Sequence, residues 1–267
     1  MFMRQNSPLF TIATVTYNAA ETLQRTLDSV ANQDYPYIEH LLIDGCSSDG
    51  TIRLVQRYVE TNTHARQPHQ IRLVCERDEG LYDAMNKALQ LAQGDYIVFL
   101  NSGDMLHATD TLSQLTYQME WIKGDFHNPA ILYGQTDLVD QKGHYLRPRR
   151  LRAPETLTWK SFRWGMLVCH QSFYVRTDIA REEHYNLQYH YSADFDWCIR
   201  LLRRVGRRRM RIINTRLILT DYLSEGLTTR HHRASLFERM RIMMVHYGKW
   251  QTLLSHLWFV IRGVFMR

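Results

Sequence analysis

Short apolar runs and amphipathic stretches alternate through the first hundred residues. "FTIATV" (10–15) is apolar and β-branched, the pattern of a buried strand. In the following "TYNAAETLQRTLDSVANQ", Leu23, Leu27, Val30 and Ala31 recur at i, i+4, i+7 and i+8, which predicts an amphipathic helix. Asn18, with Glu21 three residues on, has the form of a capping box. "IEHLLI" (38–43) predicts a second strand, running into the polar turn "DGCSSDGT" and a helix that carries Ile52, Val55 and Val59. "IRLVC" (71–75) predicts a third strand. "GLYDAMNKALQLAQG" predicts a helix with Leu81, Met85, Ala88 and Ala92 inward and Gly94 at its C′ position. "YIVFL" predicts a fourth strand.

Four strands separated by three helices imply a parallel sheet with crossover helices. Such sheets bind ligands beyond the carboxyl ends of their strands. Those ends carry Thr16-Tyr17-Asn18, Asp44-Gly45, Glu76-Arg77-Asp78 and Asn101-Ser102-Gly103-Asp104, so three of the four present carboxylates at one rim. Beyond residue 130, "ILYGQTDLV" and "VCHQSFYVR" predict strands of a mixed sheet. "SADFDWCIRLLRRVG" predicts a helix with Phe195, Ile199 and Leu202 inward, and "MRIIN" a further strand. A helix over 234–248 and an aromatic, basic tail follow. The chain therefore divides into a domain over 1–233, with halves 1–105 and 106–233, and a helical extension over 234–267.

The composition, 45% hydrophobic and 12% aromatic over 267 residues, indicates a globular chain with room for a full core. Four cysteines form no CxxC pair, which argues against a zinc ribbon or a disulfide scaffold and fits a reducing compartment. No apolar run suggests a signal peptide or a membrane span. Charge is unevenly placed. Residues 1–141 hold 9 Lys/Arg and 18 Asp/Glu, net −9; residues 142–267 hold 24 and 9, net +15. Such asymmetry suits nucleic acid, an anionic membrane or a phosphorylated substrate without choosing among them.

No GxGxxG follows the first strand and no GxxxxGK[ST] occurs, which argues against a dinucleotide site and a P-loop. A rim of carboxylates instead suits Mg2+ or Mn2+ holding a diphosphate. At this point the sequence resembles the inverting family 2 glycosyltransferases of GT-A fold, and more narrowly the bacterial exopolysaccharide and colanic-acid type. The resemblance rests on "TVTYN" (14–18), "IDGCSSDGT" (43–51), "ERDEGLYDAMNKAL" (76–89), "GDYIVFLNSGD" (94–104), "CHQSFYVR" (169–176) and "SADFDWCIRLL" (192–202). The fold it implies is α/β, a mixed sheet flanked by helices, with a helical C-terminal extension.

The resemblance also implies roles. Thr16, Tyr17 and Asn18 would hold the nucleotide base and ribose, Asp44 would bind the base or ribose, and Asp78 would sit beside it. Asp83, Asn86 and Lys87, on the polar stripe of their helix, would face the nucleotide-sugar, as would Asn101 and Ser102. Asp104 occupies the last position of a DXD-type motif and would bind Mn2+ or Mg2+ on the diphosphate. Asp194 would take the acceptor proton; His170, Gln171, Asp196, Arg230 and His231 would contact acceptor or phosphate. The expected partners are a nucleotide-sugar, a saccharide or lipid-linked acceptor and an anionic membrane surface, with no nucleic acid. The expected place is the cytoplasm, peripheral on the inner face of the cytoplasmic membrane.

Plainer readings stand beside several of these. Asp104 also fits a turn acid, and Tyr17 a core aromatic. Asp83 with Lys87, and Asp196 with Arg200, fit i, i+4 ion pairs. "RLLRRVGRRRMR" (200–211), with seven arginines, fits a solvated helix face or a surface for anionic headgroups. Trp250, Leu254, Leu257, Trp258 and Ile261 share one helical face, for docking on the domain or on a bilayer. Two other classes remain: a sugar-nucleotide nucleotidyltransferase, whose Gly-rich loop has no counterpart in "TYNAAE", and a nucleotide-sugar-binding subunit with little turnover.

Overall fold

A computed structural model describes residues 7–224 and 232–265. The first half is four strands and three helices: β1 (Phe10–Thr16), α1 (Ala20–Ala31), β2 (Ile38–Asp44), α2 (Thr51–Thr63), β3 (Gln70–Cys75), α3 (Leu81–Leu91) and β4 (Tyr96–Phe99). After it come β5 (Met105–Leu106), α4 (Thr111–Met119), β6 (Ile131–Val139), β7 (Tyr145–Pro148), β8 (Phe173–Arg176) and α5 (Thr177–Ala180). The chain continues through α6 (Ala193–Arg207), β9 (Ile212–Leu223), α7 (His232–Tyr247) and α8 (Lys249–Phe265).

Among the described residues the strands form one nine-stranded sheet in the order β3-β2-β1-β4-β8-β6-β9-β5, with β7 paired to β6. β1 pairs in parallel with β2 and β4, and β2 with β3. The period-two alternation of β1 splits its side chains between two layers. Phe10 and Ile12 join α4 residues Leu112 and Leu115 on one side. Ala13 and Val15 join α3 and α6 on the other, where Met85, Phe195, Trp197 and Leu202 are buried. Trp197 stacks on Tyr185 at 4.8 Å between ring centroids and lies edge-on to Phe99, fixing α6 across the sheet.

Three local expectations are corrected. Asn18 does not cap α1; its first amides are satisfied from the neighbouring loop, Ala19 N–H by Thr51 Oγ1 at 2.8 Å and Ala20 N–H by Asp49 Oδ2 at 3.0 Å. Gly94 is not a left-handed cap: α3 ends at Leu91, and a Cβ at Gly94 would lie 2.6 Å from the Thr11 amide nitrogen. Glycine is there because the chain passes directly against β1. "VCHQSFYVR" is not one strand, because His170–Ser172 forms a 3-10 turn before β8. That turn swings His170 and Gln171 off the sheet.

Helix α7 packs against α6, with Ile242 and Met243 buried. Tyr247 stacks on Trp159 at 5.5 Å and donates its hydroxyl to the Trp159 carbonyl. The arginine-rich stretch is largely committed to the body. Arg200 pairs with Asp196 and Glu183, Arg204 with Glu182 and Glu183, and Arg208 with Glu182. Arg203 lies over the Trp159 ring at 4.3 Å. The basic run is thus chiefly an internal clasp between α6 and residues 182–183.

Candidate active site

A cleft of about 1330 Å³ opens at the carboxyl ends of β1 to β4. Each strand delivers residues to it: Thr16, Tyr17 and Asn18 after β1, Gly45 and Cys46 after β2, Asp78 after β3, and Asn101, Ser102 and Asp104 after β4. This is where a parallel α/β sheet gathers its loops.

At one end, Tyr17 is 67% exposed, so its ring is a cleft wall and not a core aromatic. A Cβ at Gly45 would lie 2.7 Å from Asp78 Oδ2 and 3.3 Å from Tyr17 Cδ2, so only glycine lets these two side chains approach. Asn18, at φ 48°, takes Ser47 Oγ on its amide and Ser48 N–H on its side-chain oxygen, tying the β1 and β2 loops together. Asp44 differs from expectation. It is fully buried, accepts from Thr16 Oγ1 at 2.8 Å and from the amide and hydroxyl of Ser47, and does not line the cleft. It braces the loop that carries Gly45.

The α3 triplet is also corrected. Lys87 reaches Glu76 at 3.0 Å, the Arg77 carbonyl at 2.7 Å and Asp83 at 3.6 Å. Asp83 accepts from the Glu79 amide. Asn86 exchanges two hydrogen bonds with the backbone of Tyr185. None of the three lines the cleft, which α3 meets through its first turn, Leu81, Tyr82 and Ala84. Lys87 and Asp83 instead hold the loop bearing Asp78.

At the centre, Asp104 is 3% exposed. Its oxygens accept from Gln171 Nε2 and from Leu223 N–H, both at 2.9 Å. Burial pushes its carboxyl up to about 6 against those two hydrogen bonds. Asn101 turns Nδ2 toward His170 Nε2 at 3.2 Å, while its Oδ1 is buried without a partner among the described residues. A desolvated carboxylate beside an orphaned amide oxygen is a donor set that fits a divalent cation shared with phosphate oxygens. Ser102, also in the cleft wall, is hydrogen-bonded to Thr22.

Beside this group stands Asp194, in the first turn of α6. His170 Nδ1 lies 3.1 Å from its Oδ2, and Tyr82 donates its hydroxyl to Oδ1 at 3.1 Å. Burial raises the Asp194 carboxyl, but His170, the charge of Arg239 and the Tyr82 hydroxyl outweigh it, and the net shift is downward. Asp194 is therefore an ionised acceptor in a water-poor wall of the cleft. Asp196, two residues on, points elsewhere: Arg200 and His246 take its two oxygens at 2.7 Å each, and it does not line the cleft. Its expected substrate contact is replaced by a role in holding α6 to α7. Arg230 and His231 lie outside the described residues.

Among the cleft residues that escaped the sequence are Tyr82 and Arg239. Tyr82 looked like one more position on an amphipathic helix, and its partner is 112 residues away. Arg239, from α7, lines the cleft with its Nε buried and unpartnered among the described residues. Nothing in "FERMRIM" distinguishes it from a solvated helix arginine.

Residues 11–183 match the sequence profile described as Glycosyl transferase family 2. A PGL/p-HBAD biosynthesis glycosyltransferase of Mycobacterium bovis is 30% identical over 197 residues, 73% of this chain and 70% of its own. TuaG of Bacillus subtilis, provisionally named a teichuronic acid biosynthesis glycosyltransferase, is 34% identical over 152 residues, 57% of this chain and 56% of its own. Among solved structures, Staphylococcus aureus TarS 1–349 in complex with UDP superposes with a TM-score of 0.64 at 18% identity, covering 89% of this chain and 64% of that one. The Pyrobaculum calidifontis mannosyltransferase PcManGT, in complex with GDP-Man and Mn2+, gives 0.61 at 20% identity, covering 97% and 76%. At such identities the structural likeness establishes the fold, that of GT-A glycosyltransferases.

Proposed function

The chain belongs to glycosyl transferase family 2, and from that premise we propose that it transfers a sugar from a nucleotide donor to a cell-surface polysaccharide or its lipid-linked precursor, with inversion. The observation that carries this reading is the ionised Asp194 in the same cleft as Asp104 and the unpartnered Asn101 oxygen. Tyr17 and Asp78 receive the base and ribose. Asn101 and Asp104 would hold Mn2+ or Mg2+ together with the diphosphate, where a bound cation would supply neutralisation of the departing charge. Arg239, whose charge also acts on Asp194, adds a fixed positive charge to the cleft.

The acceptor hydroxyl gives its proton to Asp194 as its oxygen attacks the anomeric carbon. The bond to the diphosphate breaks on the far side, and a single displacement inverts the configuration. His170, held between Asn101 and Asp194, links the donor end of the cleft to the base and fixes the carboxylate's orientation. The relative named for teichuronic acid biosynthesis supports a surface-polymer acceptor. A thermal-shift screen of UDP, GDP and dTDP with Mn2+ tests the donor half. A rise with one nucleotide supports it; no rise with any contradicts it.

We also propose a peripheral place on an anionic membrane, on the cytoplasmic side. Helix α8 is inverted relative to a docked helix: Thr252 and Ser255 are buried, while Trp250, Leu253, Leu254, Leu257, Trp258 and Ile261 are exposed. Among the described residues no helix is long and apolar enough to cross a membrane. An outward apolar face on a basic half-chain suits an interfacial helix.

A further inference from the structure

Away from the cleft, three side chains converge where β5, β6 and β9 meet. His107 lies just past β5, Asp137 on β6 and Asp221 on β9, and one ligand atom from each lies within 4.8 Å of the others. β6 and β9 run parallel with Asp137 and Asp221 as register partners. Matched positions on neighbouring strands project from one face, so two like charges stand side by side. His107 Nδ1 is 2.7 Å from Asp221 Oδ1. Asp137 has no such answer: it is 5% exposed, and its Oδ1 is buried without a hydrogen-bond partner among the described residues. Burying an unpaired carboxylate oxygen is costly, and the chemistry that answers it is a cation.

We propose that His107, Asp137 and Asp221 form a divalent-cation site separate from the donor cleft, suited to Mn2+ or Zn2+. One imidazole nitrogen and two carboxylates match the borderline first-row ions. None of the three residues lines the cleft. The site nevertheless adjoins it structurally. β5 begins directly after Asp104, and β9 delivers the Leu223 amide to Asp104 Oδ1 two residues beyond Asp221. A cation there clasps β5 and β6 to β9 and fixes the backbone that positions Asp104. This site is independent of the donor reading: it binds metal without nucleotide, whereas the Asp104 site needs the diphosphate.

The test is Mn2+ titration of the full chain without nucleotide, after chelator dialysis, read by the loss of the free-ion electron paramagnetic resonance signal. Thiolates are poor Mn2+ ligands, so the cysteines do not interfere. One bound ion is expected, displaced by Zn2+, with affinity at least tenfold weaker in Asp137→Asn and Asp221→Asn and unchanged in Asp104→Asn. Thermal melts of the chelated proteins guard against misfolding: Asp137→Asn should melt no lower than the wild type, because it removes a carboxylate whose Oδ1 is buried without a hydrogen-bond partner among the described residues. No binding without nucleotide overturns the site, as does binding lost in Asp104→Asn but kept in Asp137→Asn. Failure of the donor reading appears separately, as the absence of any further Mn2+ uptake when nucleotide is added to Asp221→Asn.

Discussion

His170 Nδ1 and Asp194 Oδ2 lie 3.1 Å apart, and the same imidazole meets Asn101 through Nε2 at 3.2 Å. Because Asn101 presents its amide Nδ2, the Nε2 of His170 accepts, and Nδ1–H is left to donate to Asp194. A histidine so placed, with both ring nitrogens engaged, orients the Asp194 carboxylate. Replacing Asp194 by Asn should lower turnover by about 10²–10⁴-fold, the usual range for a general base, with nucleotide affinity unchanged. His170→Ala should lower kcat less and shift the acid limb of its pH profile, with KM for the donor nearly constant. Steady-state kinetics on both variants checks the pair. An unchanged pH profile in His170→Ala contradicts the positioning role.

At the donor end, Asp104→Ala and Asn101→Ala should each weaken nucleoside diphosphate binding in the presence of Mn2+ by at least tenfold. Binding without metal should change little. Calorimetry with and without Mn2+, in the Asp221→Asn background, isolates this site from the one at His107. Equal losses with and without metal would mean that both residues only shape the cleft.

How much of this was legible in the sequence differs by kind. The strands and helices of the first hundred residues were legible because each has its own period and ends in polar turns. The rim was legible because parallel connectivity dictates which strand ends converge. What was not legible depended on direction. Asp83, Asn86 and Lys87 share the polar stripe of α3, but a stripe is defined only against the core, and the cleft touches the first turn of the helix instead. Asp44 sits at the rim by position yet points into its own loop, where Ser47 captures it. Arg239 reaches the cleft from α7 through long-range packing that leaves no local pattern.

The buried chain Thr14–His40–Tyr58–His69 gives the protein an acid limit outside the active site. Burial lowers His40 from the usual 6.5 to about 3 and His69 to about 4. As pH falls below 6.5 the unfolded chain binds protons that the folded one refuses, so stability is lost through that window. Each histidine contributes a slope of about 1.4 kcal/mol per pH unit there. Urea midpoints from pH 7 to pH 4.5 should fall steadily in the wild type. They should fall less steeply in His40→Gln, whatever its stability at pH 7. An equal slope in both contradicts the assignment.

The outward face of α8 predicts vesicle binding. Exposed Leu254 and Leu257 each gain on the order of 1.5–3 kcal/mol on full burial. Leu254→Ser with Leu257→Ser should therefore lower partitioning onto anionic phosphatidylglycerol vesicles by at least tenfold, with turnover on a soluble acceptor unchanged. Sedimentation with vesicles measures it. Equal binding of both proteins, or none by the wild type, excludes the membrane role for this face.

In the proposed reaction one cleft binds a nucleotide-sugar, and Asp194 deprotonates the acceptor there. The most direct measurement is nucleoside diphosphate release from UDP-, GDP- and dTDP-sugars with Mn2+ and a saccharide acceptor, comparing the wild type with Asp194→Asn, with donor binding followed in parallel. Acceptor-dependent release with one donor class is expected of the wild type, and near-complete loss in Asp194→Asn, with donor binding intact. Turnover that survives Asp194→Asn would contradict it.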